Sequence, residues 1–299
     1  EISSLSMKRV SLASLLLLHV STSSGEPLRV FVSGAGGQTG QHVFRKMLAR
    51  PELFAPRGVV RSEASRSALL ESGVPAECVV IADITDADAV QAAMKGCEAA
   101  VICTSAKPKP NGETDEATGR PKFGFPNGQP ELVDWLGQKH QVDAALAAGE
   151  GTHVVVCSSM GGSDPTNMLN ALGRSTKPDG SSEGGEILLW KRKAEKYLID
   201  SKLPYTIVHP GGLIDEPGSR RELVLGVDDE QSGTTSRVVP REDVAELIVQ
   251  ALLHRELYQG RSFDLRSKPE GDGEPTTDFA ALIGTLGGRN CDYTLGRIA

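Results

Sequence analysis

Three glycines recur at every third position, at Gly34, Gly37 and Gly40. A short apolar run beginning at Leu28 precedes them, and from Val43 onward hydrophobic residues recur at helical spacing. The glycines therefore lie where a strand turns sharply into a helix, so the main chain can approach a pyrophosphate closely. Free N–H groups and the positive end of the helix dipole would bind the phosphates. The spacing predicts a dinucleotide site, although glycines at this spacing also occur in ordinary loops.

An arginine, Arg61, ends the second predicted strand, where the adenosine ribose of a dinucleotide would lie. An acidic residue at this point accepts a hydrogen bond from the 2′-hydroxyl of NAD, whereas an arginine suits the 2′-phosphate of NADP. Arg66 follows about one helical turn later and is placed to assist. The position favours NADP as the cofactor. The alternative is a pair of solvated surface arginines.

Strand-like apolar runs alternate with amphipathic helical segments from Leu28 to about residue 209. The alternation predicts an α/β fold, a doubly wound parallel sheet of the Rossmann type flanked by helices on both faces. A ligand would lie at the carboxyl ends of the strands. Surface loops are expected to leave that edge over residues 106–130 and 163–185, and a helix is expected over 131–148.

The last third of the chain is less regular and is expected to form a small C-terminal subregion on the substrate side of the cleft. No internal repeat or break in composition marks a separate domain, so we predict a single NAD(P)-binding domain over residues 28–299. The elements expected within the subregion are a turn-rich loop over 210–220, a strand at 221–227, a helix over 240–254, a strand at 262–265 and a helix over 276–286.

Residues 1–27 have the pattern of a leader. Lys8 and Arg9 precede an apolar stretch, and small residues follow at 21–24, which resembles a secretory signal peptide. The apolar stretch is too short for a stable membrane span. A frayed N-terminal helix is the alternative. The leader suggests secretory entry or a plastid route, with the cytoplasm as the alternative location.

Composition excludes some classes of function. The net charge is −7 and the pI about 5.5, so no basic face for nucleic acid is implied. The five cysteines include no C-x-x-C pair and are expected to be small buried hydrophobes. The six histidines include no H-x-x-x-H pair, and we predict no metal site.

Taken together, several motifs resemble the atypical short-chain dehydrogenase/reductases. The closer likeness is to a plant and algal NAD(P)H-binding, NmrA-like group that is labelled NAD-dependent epimerase/dehydratase. The similarity runs from about Leu28 to near Phe279. The motifs that carry it, besides the glycine turn, are Val60-Arg61-Ser62, Asp83-Ile84-Thr85-Asp86, Val133-Asp134-Trp135-Leu136-Gly137, Ser158-Ser159-Met160-Gly161-Gly162, Trp190-Lys191-Arg192-Lys193-Ala194-Glu195 and Pro210-Gly211-Gly212-Leu213.

The resemblance implies a Rossmann fold that binds NADP, with a role for each matching position. Asp83 would approach the adenine, Thr104 and Ser105 the central part of the cofactor, and Gly211-Gly212 the nicotinamide end. The cofactor-binding residues expected in this way are Gly34, Ala35, Gly36, Gly37, Gln38, Thr39, Gly40, Arg61, Arg66, Asp83, Ile84, Thr104, Ser105, Lys191, Gly211 and Gly212.

The family's reaction uses a serine, a tyrosine and a lysine, and the tyrosine is missing here. Ser158 or Ser159 matches the serine, and Lys191 matches the lysine. Asp134 falls where an active-site asparagine is usual, and Ile187, which cannot transfer a proton, falls at the tyrosine position. The expected catalytic residues are Ser158, Ser159, Lys191 and Asp134. Water, Ser159, His209 and Asp215 are alternative proton donors.

Two functions follow from an intact cofactor half and an altered proton-transfer half. The first is an oxidoreductase that transfers hydride between NADPH and an unknown small organic substrate. The second is a non-catalytic NADP-binding protein that senses redox state or acts as a scaffold for a protein partner. Epimerase or dehydratase chemistry ranks last because it ordinarily needs the missing tyrosine.

Overall fold

The computed structural model describes residues 25–114, 119–177, 179–234 and 236–297. The expected leader therefore lies outside the described residues as far as residue 24. That residues 28–299 form one domain stays a prediction. Within the described ranges, no helix is long and apolar enough to cross a membrane.

Fourteen strands and eight α-helices occur in the described residues. The strands are β1 (Leu28–Ser33), β2 (Phe54–Val60), β3 (Val79–Ile81), β4 (Ala99–Ile102), β5 (Lys109–Thr114), β6 (Pro121–Gly124), β7 (His153–Cys157), β8 (Ser175–Thr176), β9 (Ser182–Glu183), β10 (Tyr205–Pro210), β11 (Gly212–Ile214), β12 (Leu223–Gly226), β13 (Val238–Pro240) and β14 (Arg261–Ser267). The helices are α1 (Gly40–Leu48), α2 (Glu63–Glu71), α3 (Ala87–Met94), α4 (Gly137–Ala148), α5 (Ile187–Asp200), α6 (Arg241–Leu253), α7 (Arg255–Tyr258) and α8 (Phe279–Gly284).

The central sheet has eight strands in the order β12-β14-β10-β7-β4-β1-β2-β3. All neighbours are parallel except β12, which runs antiparallel to β14. The chain proceeds outward from β1 to β3 and then returns to the other side of β1 at β4. This reversal makes a crevice at the carboxyl ends of β1 and β4, where ligands bind in such sheets. The Rossmann prediction is confirmed.

Side chains of the sheet alternate between two hydrophobic clusters, one on each face. Val30 and Val32 of β1 lie in the cluster that includes α1 and α6, while Phe31 lies in the cluster of α3 and α4. Glycine is needed at Gly58 in β2, because a Cβ there would lie 2.6 Å from the Phe44 ring of α1. Close packing of α1 on the sheet fixes the direction in which this helix leaves the glycine turn.

Four loop and helix predictions need correction. Residues 106–130 contain an antiparallel hairpin of β5 and β6, and residues 163–185 contain the short pair of β8 and β9. The expected loop at 210–220 contains β11, which pairs with β13. A π-helical turn, Glu131–Leu136, precedes α4. The two hairpins pair segments that are close in sequence but whose composition indicates a loop, whereas β11 pairs with a strand further along the chain, which local composition does not reveal.

Candidate functional site

The glycine turn between β1 and α1 is closely packed. Gly34 has φ of +68°, and a Cβ there would lie 2.8 Å from the carbonyl oxygen of Cys103. A Cβ on Gly40 would overlap the carbonyl oxygen of Gly34. The Gly37 N–H donates to that same oxygen at 2.7 Å, and a Cβ on Gly37 would lie 3.0 Å from it. Larger side chains are therefore excluded at all three predicted positions.

This turn forms one wall of a cavity of about 580 Å³ at the carboxyl edge of the sheet. Its size is ordinary for a small-molecule site. The expected site residues that line it are Gly34, Gly36, Gly37, Gln38, Thr39, Arg61, Asp83, Ile84, Thr104, Ser105, Ser158, Ser159 and Lys191. The expected site residues outside its lining are Ala35, Gly40, Arg66, Asp134, Gly211 and Gly212.

Four of the residues outside the lining are held by packing or pairing elsewhere. Gly40 packs against the carbonyl oxygen of Gly34, and Arg66 forms an ion pair with Glu63 of the same helix at 3.2 Å. Gly211 packs directly on the main chain of Arg237, whose carbonyl also accepts the Gly212 N–H at 2.8 Å. The two glycines therefore face β13 rather than the cavity. Leu213, the next residue, lines the cavity instead.

At one end of the cavity, Arg61 reaches across to the hairpin side. Its Nη1 donates to the carbonyl oxygen of Asn127 at 3.0 Å. Asp83 holds the loop after β3 by accepting the Thr85 N–H at 2.9 Å and the Thr85 hydroxyl at 2.8 Å. An exposed guanidinium and a fixed carboxylate thus flank this end.

At the other end, Lys191 of α5 forms a buried ion pair with Asp134. Nζ lies 2.8 Å from Oδ1, and the two side chains are 9% and 0% exposed. The other carboxylate oxygen of Asp134 accepts the Ala106 N–H at 3.0 Å. Burial lowers the pKa of Lys191, but the carboxylate raises it by more, so the pKa is raised and the group stays an ammonium. Ile187, one turn earlier, also lines the cavity and offers no proton.

Ser158 connects the cavity to a buried polar cluster. Its hydroxyl donates to Oε1 of Glu195, whose Oε2 lies 3.0 Å from His209 Nε2 and accepts the Tyr293 hydroxyl at 2.9 Å. The other imidazole nitrogen lies 3.5 Å from Asp264 Oδ1. The sequence indicated His209 as an alternative proton donor but gave no sign that Glu195, Asp264 and Tyr293 would surround it. These residues come from separate elements, and no local pattern joins them.

The electrostatics of the cluster favour an imidazolium between two carboxylates. Burial lowers the pKa of His209, but Glu195 and Asp264 raise it well above its usual value. Burial raises the pKa of Glu195, but His209 and Ser158 lower it by more, so Glu195 is a carboxylate. The raised pKa of His209 therefore indicates a protonated imidazole that is linked to Ser158 in the cavity wall by two hydrogen bonds through Glu195.

Cys291 joins this cluster on the far side of the imidazole. Its sulfur lies 3.6 Å from His209 Nδ1, and ligand-type atoms of His209, Asp264 and Cys291 all lie within 4.8 Å of one another. The imidazole is already shared between two carboxylates, which accounts for the arrangement without an ion. The expectation of no metal stays a prediction.

Two cysteines, Cys103 and Cys157, line the cavity beside the glycine turn. Both are half-buried, as is Cys78, so the expectation that the cysteines are buried hydrophobes holds for Cys97 and Cys291 but not for these three. The Cys103 thiol donates toward Cys157, which lowers the pKa of Cys157, and the Lys191 ammonium lowers it further. The same hydrogen bond and burial raise the pKa of Cys103 well above its usual value.

Comparison with known proteins agrees with this geometry. The model of the NAD(P)H-binding family matches residues 34–255, and the chain belongs to this family. It is 46% identical over 260 residues to an uncharacterized chloroplastic protein of Arabidopsis thaliana, covering 86% of this chain and 75% of that protein. It is 43% identical over 280 residues to sanguinarine reductase of Eschscholzia californica, and the match covers 87% of this chain and 96% of that protein.

A solved structure shows the same fold. It is an NAD-dependent epimerase/dehydratase-type protein of Bacillus halodurans, with a TM-score of 0.63 and 23% identity. The likeness covers 87% of this chain and 100% of that one. At this identity the comparison concerns the fold alone.

Proposed function

We propose that the chain is an oxidoreductase that transfers hydride between NADPH and a small organic carbonyl or conjugated substrate. The observation that carries the proposal is one continuous cavity, which joins the glycine turn and Arg61 to Ser158 and Lys191. Similarity to sanguinarine reductase over 96% of that protein supports reduction as the class of reaction.

The residues present fit NADPH, which supplies the hydride when bound. Main-chain N–H groups of the glycine turn bind the pyrophosphate, and Arg61 binds the 2′-phosphate. Lys191 binds the nicotinamide ribose, and Asp134 keeps its ammonium charged and fixes its position. The hydroxyl of Ser158 binds the substrate oxygen.

In this proposal, Ser158 also replaces the missing tyrosine as the proton donor. Ile187 at the tyrosine position has no proton to give, whereas Ser158 lies in the cavity and hydrogen bonds to Glu195. When substrate binds, the Ser158 O–H turns from Glu195 to the substrate oxygen, and that oxygen takes the proton as negative charge develops on it. The His209 imidazolium gives its Nε2 proton to Glu195, Glu195 gives a proton to the Ser158 oxygen, and His209 is left as a neutral imidazole.

A second candidate function is a non-catalytic NADP-binding protein that acts through a protein partner. The observation that favours it is the apolar Ile187 in the cavity wall. Tight NADPH binding without reduction of any acceptor, in a broad panel of aldehydes, ketones, quinones and iminium compounds, would favour this function over the reductase.

We place the protein in a plastid, because the Arabidopsis relative is named chloroplastic and residues 1–27 have a leader-like sequence. A fluorescent protein fused to the full chain should accumulate in plastids. Accumulation in the secretory pathway or the cytosol would contradict this location.

Cofactor choice is tested by titrating the full chain with NADPH and NADH while following nicotinamide fluorescence. R61A should weaken NADPH binding about ten- to hundredfold, because a charge-assisted hydrogen bond contributes about 1.5–3 kcal/mol. NADH binding should change little. R66A is the matched control, since Arg66 lies outside the cavity and pairs with Glu63. The assignment would be contradicted if R61A bound NADPH as tightly as the native chain does and bound NADPH and NADH with equal affinity.

A further inference from the structure

Cys103 and Cys157 are neighbours across two parallel strands. In the register of β4 and β7, Ile102 lies opposite Val156. The residue after each of these, Cys103 and Cys157, therefore faces the other. Neighbouring strands lie about 4.7–4.9 Å apart. That spacing falls within the Cα separations of about 4.4–6.8 Å that a disulfide spans.

The two thiols also lie on the same face of the sheet. Val101 and Val155 belong to the hydrophobic cluster on the α1 and α6 side, and both cysteines pack against that cluster two residues further along. Both line the nucleotide cavity, so a small oxidant that enters it reaches the sulfurs.

Their surroundings give the two thiols different reactivity. Cys157 has the lowered pKa because it accepts from Cys103 and lies near the Lys191 ammonium, so it supplies the nucleophilic thiolate. Cys103, with its raised pKa, remains the thiol that can resolve an oxidised neighbour. This division of roles is that of a redox-active pair.

We propose that Cys103 and Cys157 form a peroxide-sensitive dithiol in the wall of the nucleotide cavity, and that their disulfide weakens nucleotide binding. The Cys157 thiolate attacks one oxygen of hydrogen peroxide, giving a sulfenic acid and, after protonation of the departing hydroxide, one water. The Cys103 sulfur then attacks the Cys157 sulfur, and the sulfenic oxygen leaves with two protons as a second water. Overall, two thiols and one peroxide give one disulfide and two waters.

Contact of Cys103 with the glycine turn links this oxidation to the nucleotide. Its carbonyl oxygen lies 2.8 Å from the Cβ position of Gly34, and its Cβ lies 3.2 Å from that of Gly40. A disulfide requires Cβ atoms about 3.8 Å apart. Closing that bond draws Cys103 toward β7 and away from the turn. By reciprocity, bound nucleotide should slow disulfide formation.

The test treats the full chain with hydrogen peroxide, with and without NADPH, and then blocks free thiols with N-ethylmaleimide. Peptide mass mapping should find a Cys103–Cys157 disulfide, formed more slowly when NADPH is present. NADPH affinity should fall about tenfold, within the range of linked sites, and dithiothreitol should restore it. Each variant, C103S, C157S and the control C78S, is compared with itself before and after peroxide.

After peroxide, C157S and C103S should keep the affinity that each had before treatment, whereas C78S should lose affinity as the native chain does. Cys78 lies outside the cavity, which makes it a suitable control. The proposal is overturned if peroxide leaves both thiols free, links other cysteines, or stops at sulfinic acid on Cys157. It is equally overturned if the disulfide forms and NADPH affinity is unchanged. The native chain alone decides these outcomes if a serine variant does not fold.

Discussion

Replacing Asp134 with alanine leaves a buried ammonium without its counter-ion. Lys191 Nζ lies 2.8 Å from Asp134 Oδ1, with side chains 9% and 0% exposed, so solvent screens the pair only weakly. Breaking a buried pair in this way costs about 3–5 kcal/mol. We expect D134A to lower the free energy of unfolding by about that amount at neutral pH.

The loss of stability in D134A should depend on pH, and the pKa of Lys191 determines whether the loss grows or shrinks as pH rises. In the native chain this pKa is raised, so the stabilisation is present below the unfolded value of about 10.4 and is lost only as pH rises through the higher folded value. In D134A burial, the largest cause, still lowers the pKa of Lys191, and only the weaker influences of Cys157 and Glu195 still raise it. The penalty is then largest near neutral pH and shrinks as pH rises toward about 10.

Urea unfolding followed by tryptophan fluorescence measures both effects. The chain has two tryptophans, and Trp135 and Trp190 adjoin the pair in sequence, so the signal comes from this region. The double variant D134A/K191M, with neither charge, should recover most of the loss. D200A is the matched control, because the Asp200–Lys196 pair is 2.7 Å apart but 56% and 44% exposed, and it should cost less than about 1 kcal/mol. A cost for D134A below about 1 kcal/mol would refute the reasoning.

Two further predictions concern the turn and the polar cluster. G40A should abolish measurable nucleotide binding in the fluorescence titration, because the added Cβ would overlap the Gly34 carbonyl oxygen. G284A in α8 is the control, since its Cβ would meet nothing within 4 Å and Gly284 lies outside the cavity, and it should bind nearly as the native chain does. Equal binding by both variants would contradict this. His209 has a raised pKa, so its stabilisation is present below about pH 6.5 and is lost as pH rises through the folded value. The stability lost in H209Q should therefore be largest in mild acid and shrink in alkali, and a urea-unfolding deficit equal at every pH would contradict this.

The strand–turn–helix at the start of the fold was predictable because its signals are local. Apolar residues before Gly34 and helical spacing from Val43 determine β1 and α1. Continuous apolar runs indicate buried parallel strands wherever they occur. The serine and lysine candidates followed from the resemblance to the short-chain dehydrogenase/reductases.

Features that depend on long-range packing were not predictable. Asp134 was matched to the position of an active-site asparagine, and only the packing of α5 beside it shows that Lys191 is its partner. Glu195 accepts a hydrogen bond from Tyr293, which lies 98 residues further along the chain. The hairpin of β5 and β6 arises from pairing within a segment whose proline and glycine content indicated a loop.

The central claim is that one cavity holds NADPH with its adenosine end at Arg61 and its nicotinamide end at Ser158 and Lys191. A crystal structure of the full chain with NADP+ tests this directly. We expect the 2′-phosphate within hydrogen-bonding distance of the Arg61 guanidinium and the nicotinamide ribose in contact with Lys191 Nζ. A nucleotide bound in the reverse direction, or bound outside this cavity, would contradict the account.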